Sequence, residues 1–182
     1  MADRALNATA ASLLGFLHRG PLTGWDLVAT AQLVIGDFWT LTQSQVYREL
    51  SAMARAGLVS AGDRGSRDRR PYSITDAGRA AFAAWIERDP PSETIRFPLL
   101  LTLSFGRHLP APRLAEMLAA QRGMHAARLA EYQEQCAAAD AALDTDPFSR
   151  AALEFGLGYE RGVLAWFDQL PSTMTGLSGA SS

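Results

Sequence analysis

Apolar positions along this chain change period from one stretch to the next, and each change marks an element. Residues 42–57 read TQSQVYRELSAMARAG. Val46, Leu50, Met53 and Gly57 recur at spacings of four, three and four, with Tyr47 and Ala54 beside them. That is one face of a 3.6-residue period, and it predicts a helix over Thr42 to Ala56. Thr42 and Gln45 form a T-x-x-Q capping box for its first turn. Thr40 and Gln43 offer the same pattern, which leaves the start open by two residues. Gly57 supplies the stop, because glycine adopts the left-handed conformation without a Cβ clash. The period then shortens. Leu58 to Ala61 and Pro71 to Thr75 read as two short strands, with Gly62 and Gly65 permitting turns between them.

The same reading extends along the chain. Helices are expected from about Asn7 to His18 and from about Thr23 to Val34, the latter with Trp25, Leu27, Val28 and Ala31 inward. Another is expected from Asp76 to Arg88, with Phe82, Trp85 and Ile86. Asp89-Pro90-Pro91-Ser92 reads as a linker, since two prolines cannot continue a helix. A short helix from Phe97 to Gly106 should break before Pro110 and Pro112. Arg113 to Leu143 and Phe148 to Leu170 are the two long helical patterns that follow. In the last, Phe148, Ala152, Phe155, Tyr159, Gly162 and Trp166 alternate at four and three, a heptad seam. Leu153, Leu157, Leu164 and Phe167 are apolar outside that seam. A helix apolar over so much of its circumference needs cover on two sides. The helix bearing Leu114, Leu118, Leu129 and Tyr132 can supply one side, and a second subunit the other. Small Gly156, Gly158 and Gly162 permit close approach. Ser172 to Ser182 is rich in Ser, Gly and Thr and is expected to be disordered.

The resulting architecture is mainly α. Residues 1–88 form a winged helix-turn-helix of three helices and a two-stranded wing, residues 89–170 a helical dimerisation domain, and residues 171–182 a tail. Charge sharpens this division. The 182-residue chain has a net charge of −2, but the sign is unevenly spread. Residues 1–88 carry ten Arg and eight acids, whereas residues 89–182 carry seven Arg and eleven acids. Arg64, Arg67, Arg69 and Arg70 crowd the wing tip. On the outer face of the helix before it stand Ser44, Gln45, Arg48, Ala52 and Arg55. Ser, Gln and Arg hydrogen-bond base edges or phosphates, and Ala52 lets the backbone approach a groove. A basic loop alone is more often just a solvated face. Directly after a capped helix with a polar outer side, it points to duplex DNA. The candidate DNA-binding residues are Thr42, Gln43, Ser44, Gln45, Tyr47, Arg48, Arg64, Arg67, Arg69 and Arg70.

Other chemistry is thinly represented. Cys136 is a lone cysteine, so no intramolecular disulfide forms, which fits a reducing cytoplasm. His18, His108 and His125 have no metal-ligand spacing with it. Asp144 and Asp146 in D-T-D-P read as a turn and cap before Pro147. No nucleophile elbow, zinc-protease, P-loop or dinucleotide signature occurs, so the expectation is no enzyme and no cofactor. No apolar run is long enough to span a bilayer and no signal peptide is legible, so a cytoplasmic protein is expected. Trp25, Phe38, Trp39, Trp85, Phe97 and Trp166 are candidates for lining an aromatic pocket, though aromatic residues at helical spacing are more often plain core.

Several segments, in order and spacing, resemble the PadR family of bacterial winged-helix transcription regulators. They are SLLGFL (Ser12 to Leu17), GPLTGWDL (Gly20 to Leu27), Phe38-Trp39, QVYREL (Gln45 to Leu50), AGLV (Ala56 to Val59), RRPYSIT (Arg69 to Thr75) and DAGR (Asp76 to Arg79). They cover Ala5 to Arg88. TIRFPLLLTLSFG and the two long helical patterns after it are similar to the C-terminal domain of the family's virulence-activator subgroup. Arg48 departs from the family pattern, since many members have Pro there. The resemblance implies a homodimeric repressor reading an inverted repeat, whose DNA affinity falls when a small aromatic or drug-like effector binds. A winged helix that grips another protein without DNA is the alternative, and the polar, arginine-bearing face argues against it.

Overall fold

The computed structural model describes residues 6–36, 38–63, 70–141 and 146–175. The chain divides into two compact units, Met1–Glu93 and Thr94–Ser182. In the first, α1 (Ala8–Leu17), α2 (Gly24–Ile35) and α3 (Gln43–Arg55) precede a small sheet, and α4 (Asp76–Ile86) follows it. Each helix begins on a side-chain cap. Asn7 Oδ1 accepts from Ala10 N at 2.8 Å, Thr23 and Asp26 form a reciprocal box, and Thr75 Oγ1 accepts from Gly78 N at 3.1 Å. These caps satisfy N–H groups that the helices leave unpaired. The core gathers Leu13, Leu14 and Leu17 of α1, Leu27 and Ala31 of α2, and Val46, Leu50 and Met53 of α3.

The sheet has three strands where the pattern predicts two. Val59–Ala61 (β2) and Pro71–Ile74 (β3) pair antiparallel with Val59 opposite Ile74. Leu22–Thr23 (β1) adds to the other edge of β3, with Leu22 opposite Tyr72, giving the order β1-β3-β2. Two residues show no alternation, so β1 carries no period to detect. Trp25 is a second correction. It is expected inward, but it is 56% exposed. Gly24, Leu27 and Ala31 form the buried face of α2. Trp25 stands about 100° round the helix from Gly24, which takes it off that face.

The second unit holds α5 (Pro98–Ser104), a 3-10 turn at Gly106–His108, α6 (Ala111–Ala141), α7 (Pro147–Asp168) and α8 (Ser172–Thr175). Leu114, Leu118 and Phe167 are its buried centre, with Leu103, Met117 and Trp166 against them. Pro112 does not break this region. It sits in the first turn of α6, where a missing N–H costs no hydrogen bond. Asp146 caps α7 by accepting from Phe148 N and Ser149 N at 3.3 and 3.1 Å, as D-T-D-P predicts, while Asp144 lies outside the described residues. The tail is also corrected: Ser172–Thr175 forms a helical turn, because Met174 finds cover in the Leu114 cluster. Residues 176–182 lie outside the described residues.

Candidate nucleic-acid interface

The start of α3 is decided by its cap. Thr42 Oγ1 accepts from Gln45 N at 3.3 Å, and Gln45 Oε1 accepts from Thr42 N at 2.8 Å. Thr40 instead donates its hydroxyl to the Gly36 carbonyl. Gln45 is half-buried, and its carbonyl oxygen is committed to the cap. Thr42, Gln43, Ser44 and Arg48 are exposed together on the first two turns, and Arg55 is exposed on the last. Ala52 is half-buried between them. Tyr47 is partly exposed, and its ring lies over the start of α2. A Cβ on Gly24 would come within 2.6 Å of the ring.

The end of α3 explains how the wing is launched. Gly57 has φ +72°, Leu58 N donates to Met53 O at 2.9 Å, and Gly57 N donates to Ala54 O at 3.2 Å. This is a Schellman closure, and it turns the chain into β2 within two residues. At the far end of the wing's stem, Gly62 N donates to Pro71 O at 2.8 Å, and Arg70 Nε donates to Gly62 O at 2.9 Å. Arg70 is exposed, with its Nε anchored to the stem. Arg64, Arg67 and Arg69 lie outside the described residues. Returning from the wing, Thr75 Oγ1 donates to Gly57 O at 2.7 Å and Thr75 N donates to Leu58 O at 3.1 Å. The exit of α3 and the entry of α4 are thereby tied together. Gly78 completes the knot: a Cβ there would run into the Leu58 carbonyl oxygen.

In the second unit, α7 turns Gly156, Glu160 and Phe167 inward against α6. Gly156 lies under the Tyr132 ring of α6, leaving no room for a Cβ, whereas Gly158 and Gly162 face open space. The heptad seam is left on the outside. Phe148 is 84% and Phe155 69% exposed, Tyr159 is partly exposed, and Ala152 and Gly162 are exposed. Trp166 differs, since it packs edge-on against Phe167 at 4.9 Å within its own core. Burial raises the Tyr159 phenol above its usual range, and the Glu160 carboxylate adds to the rise while Arg128 opposes it. Phe97 stacks on Tyr159 at 6.4 Å.

Two carboxylates escape a reading by residue type. Glu49 and Glu160 are the buried charged residues among those described. His125 Nδ1 lies 2.6 Å from Glu160 Oε2, joining α6 to α7. The signal was present in the spacing. Glu49 falls three residues after Val46 and four before Met53, and Glu160 follows Gly156 by four, so both occupy inward positions. Of the candidate aromatics, Trp25, Phe38, Trp39 and Phe97 are exposed, and Trp85 and Trp166 are half-buried. Among the described residues, no group of three or more His, Cys, Asp or Glu is placed to hold a metal. None of the described helices is long and apolar enough to cross a membrane.

Comparison with known proteins agrees with this geometry. Residues 13–84 match the transcriptional regulator PadR-like family, and residues 95–174 match the virulence activator alpha C-terminal domain. The negative transcriptional regulator PadR of Bacillus subtilis (strain 168) is 24% identical, over 87% of this chain and 93% of that protein. A crystal structure of Bacillus subtilis PadR in complex with operator DNA shares the fold. Its TM-score is 0.76 at 23% identity, over 89% of this chain and 96% of the other. The Vibrio cholerae virulence activator AphA superposes with a TM-score of 0.71 at 26% identity, over 96% of this chain and 100% of the other. Residues 13–84 are therefore a winged helix of the transcriptional regulator PadR-like family, and residues 95–174 a helical domain of the virulence-activator type.

Proposed function

We propose that this protein is a homodimeric repressor that binds an inverted-repeat operator in duplex DNA. The observation that carries this reading is the first two turns of α3, where Gln43, Ser44 and Arg48 stand exposed behind the cap that Thr42, itself exposed, closes with Gln45. A helix presented this way enters a major groove by its N-terminal half. Ser44 and Arg48 reach base edges, and Tyr47, braced over Gly24, offers its hydroxyl to a phosphate. The wing arginines Arg64, Arg67, Arg69 and Arg70 supply phosphate contacts, with Asp68 offsetting part of their charge. The exposed seam of Phe148, Ala152, Phe155 and Tyr159 is the surface through which two copies join, with Gly162 on the same face and Trp166 at its edge. Bacillus subtilis PadR is also known in complex with p-coumaric acid, and we extend to this chain a small aromatic effector that weakens DNA binding.

Salt dependence tests the DNA reading. Binding to duplex should weaken steeply as salt rises. Arg67→Ala with Arg69→Ala should flatten the log–log slope by roughly 0.9 for each phosphate that is no longer neutralised, without changing the preferred sequence. An unchanged slope in the double variant removes the wing from the interface. A wild-type protein that binds no duplex turns the winged helix into a protein-interaction module.

A further inference from the structure

Glu49 stands where the core stripe of α3 calls for an apolar side chain. It is buried beside Val46, Leu50 and Met53. A carboxylate there carries a desolvation cost that leucine or alanine would not. Its neighbour Arg48 is exposed to solvent. Arg48 Nη2 lies 3.7 Å from Glu49 Oε1, with side-chain exposures of 69% and 9%. That distance is too long for a hydrogen bond but well inside Coulomb range. A charge fixed by the core sets the side to which a long, rotatable arginine leans. It also neutralises part of the guanidinium charge before any phosphate arrives. Base-edge contacts depend on geometry, whereas phosphate contacts depend on charge. The pairing strengthens the first and weakens the second.

We propose that Glu49 is a positioning residue for Arg48: it fixes the side to which the guanidinium leans at the edge of the exposed face of α3 and suppresses indiscriminate binding to phosphate. This rests on the DNA-binding reading above.

The test is a cycle in the full-length protein: wild type, Glu49→Gln, Arg48→Ala and the double variant. The probes are a duplex that the wild-type protein selects from a random pool and a random duplex of equal length, each titrated over a salt series. Glutamine keeps the size of the side chain and removes its charge. Glu49→Gln should bind the random duplex more tightly and steepen its salt slope, by up to roughly 0.9 per protomer. The preference for the selected duplex should fall on the order of tenfold. With Arg48→Ala already present, Glu49→Gln should change neither quantity. Equal effects with and without Arg48 would make Glu49 purely structural and overturn the inference. So would a wild-type slope and preference in Glu49→Gln. If circular dichroism shows that the glutamine variant does not fold, Glu49→Met takes its place in the same cycle and is read by the same outcomes. Failure of the underlying reading looks different: the wild-type protein itself would then show no salt-dependent binding to either duplex, which overturns both.

Discussion

Gly78 shows how much a single missing methyl can decide. The glycine of the D-A-G segment lies against the Leu58 carbonyl, which belongs to the turn leaving α3. Backbone cannot yield as a side chain does, so Gly78→Ala forces α4 away from the root of the wing. Overpacking of this kind costs about 1–3 kcal/mol. Thermal melting of Gly78→Ala should show that loss, and wild-type stability would mean that α4 can shift without strain. Gly57 is legible from the sequence because it ends a clear period. Gly78 is not, because its constraint comes from a residue twenty positions earlier in the chain. Glu49, Trp25 and Glu160 are obscured for a related reason. Their side-chain types announce one environment and their neighbours impose another.

At the scale of elements, capped helices are the best-read features. Thr42 with Gln45 and Asp146 before Pro147 are local arrangements, closed within three residues, and local chemistry is sufficient to specify them. Links between elements are different. Arg150 donates to the Cys136 carbonyl and pairs with Asp140 and Glu154, closing the α6–α7 hairpin. Arg122 meets Asp168 at 2.9 Å on the exposed side. The interior link is His125 with Glu160. His125→Ala leaves the Glu160 carboxyl buried without this hydrogen-bond partner, and leaving a buried polar group unsatisfied costs about 1–3 kcal/mol. Urea unfolding should show that loss. Recovery in His125→Phe with Glu160→Leu is expected, because a well-packed apolar pair of similar volume avoids the desolvation altogether. A small effect in His125→Ala would mean that water replaces the imidazole.

For the whole molecule, the exposed seam of α7 carries the prediction. Aromatic side chains such as Phe148 and Phe155 bury large apolar areas when covered, and a contiguous exposed set marks an association surface. If the proposed dimer forms through this seam, Phe155→Asp should give a monomer in light scattering and weaken binding to the selected duplex with it, since two half-sites are then no longer held together. A Phe155→Asp protein that remains dimeric would move the interface elsewhere. The apolar segment Ile95 to Leu101, also exposed at Ile95, Leu100 and Leu101, is the next surface able to carry it.

The sequence by itself determined the long helices, the caps of α3 and α7, the glycine that ends α3 and the winged-helix order, because each is written in a period or a spacing of a few residues. It also marked the α7 seam as surplus to one chain. Tertiary structure alone decided the third strand, since Leu22 and Thr23 become a strand only when Tyr72 and Pro71 lie alongside. It likewise decided which face of α7 turns inward: Gly156 admits the Tyr132 ring and Glu160 meets His125, and that leaves Phe148 and Phe155 outside. Periodicity reports that a face is apolar. What covers that face depends on residues distant in the chain, and only packing brings them together.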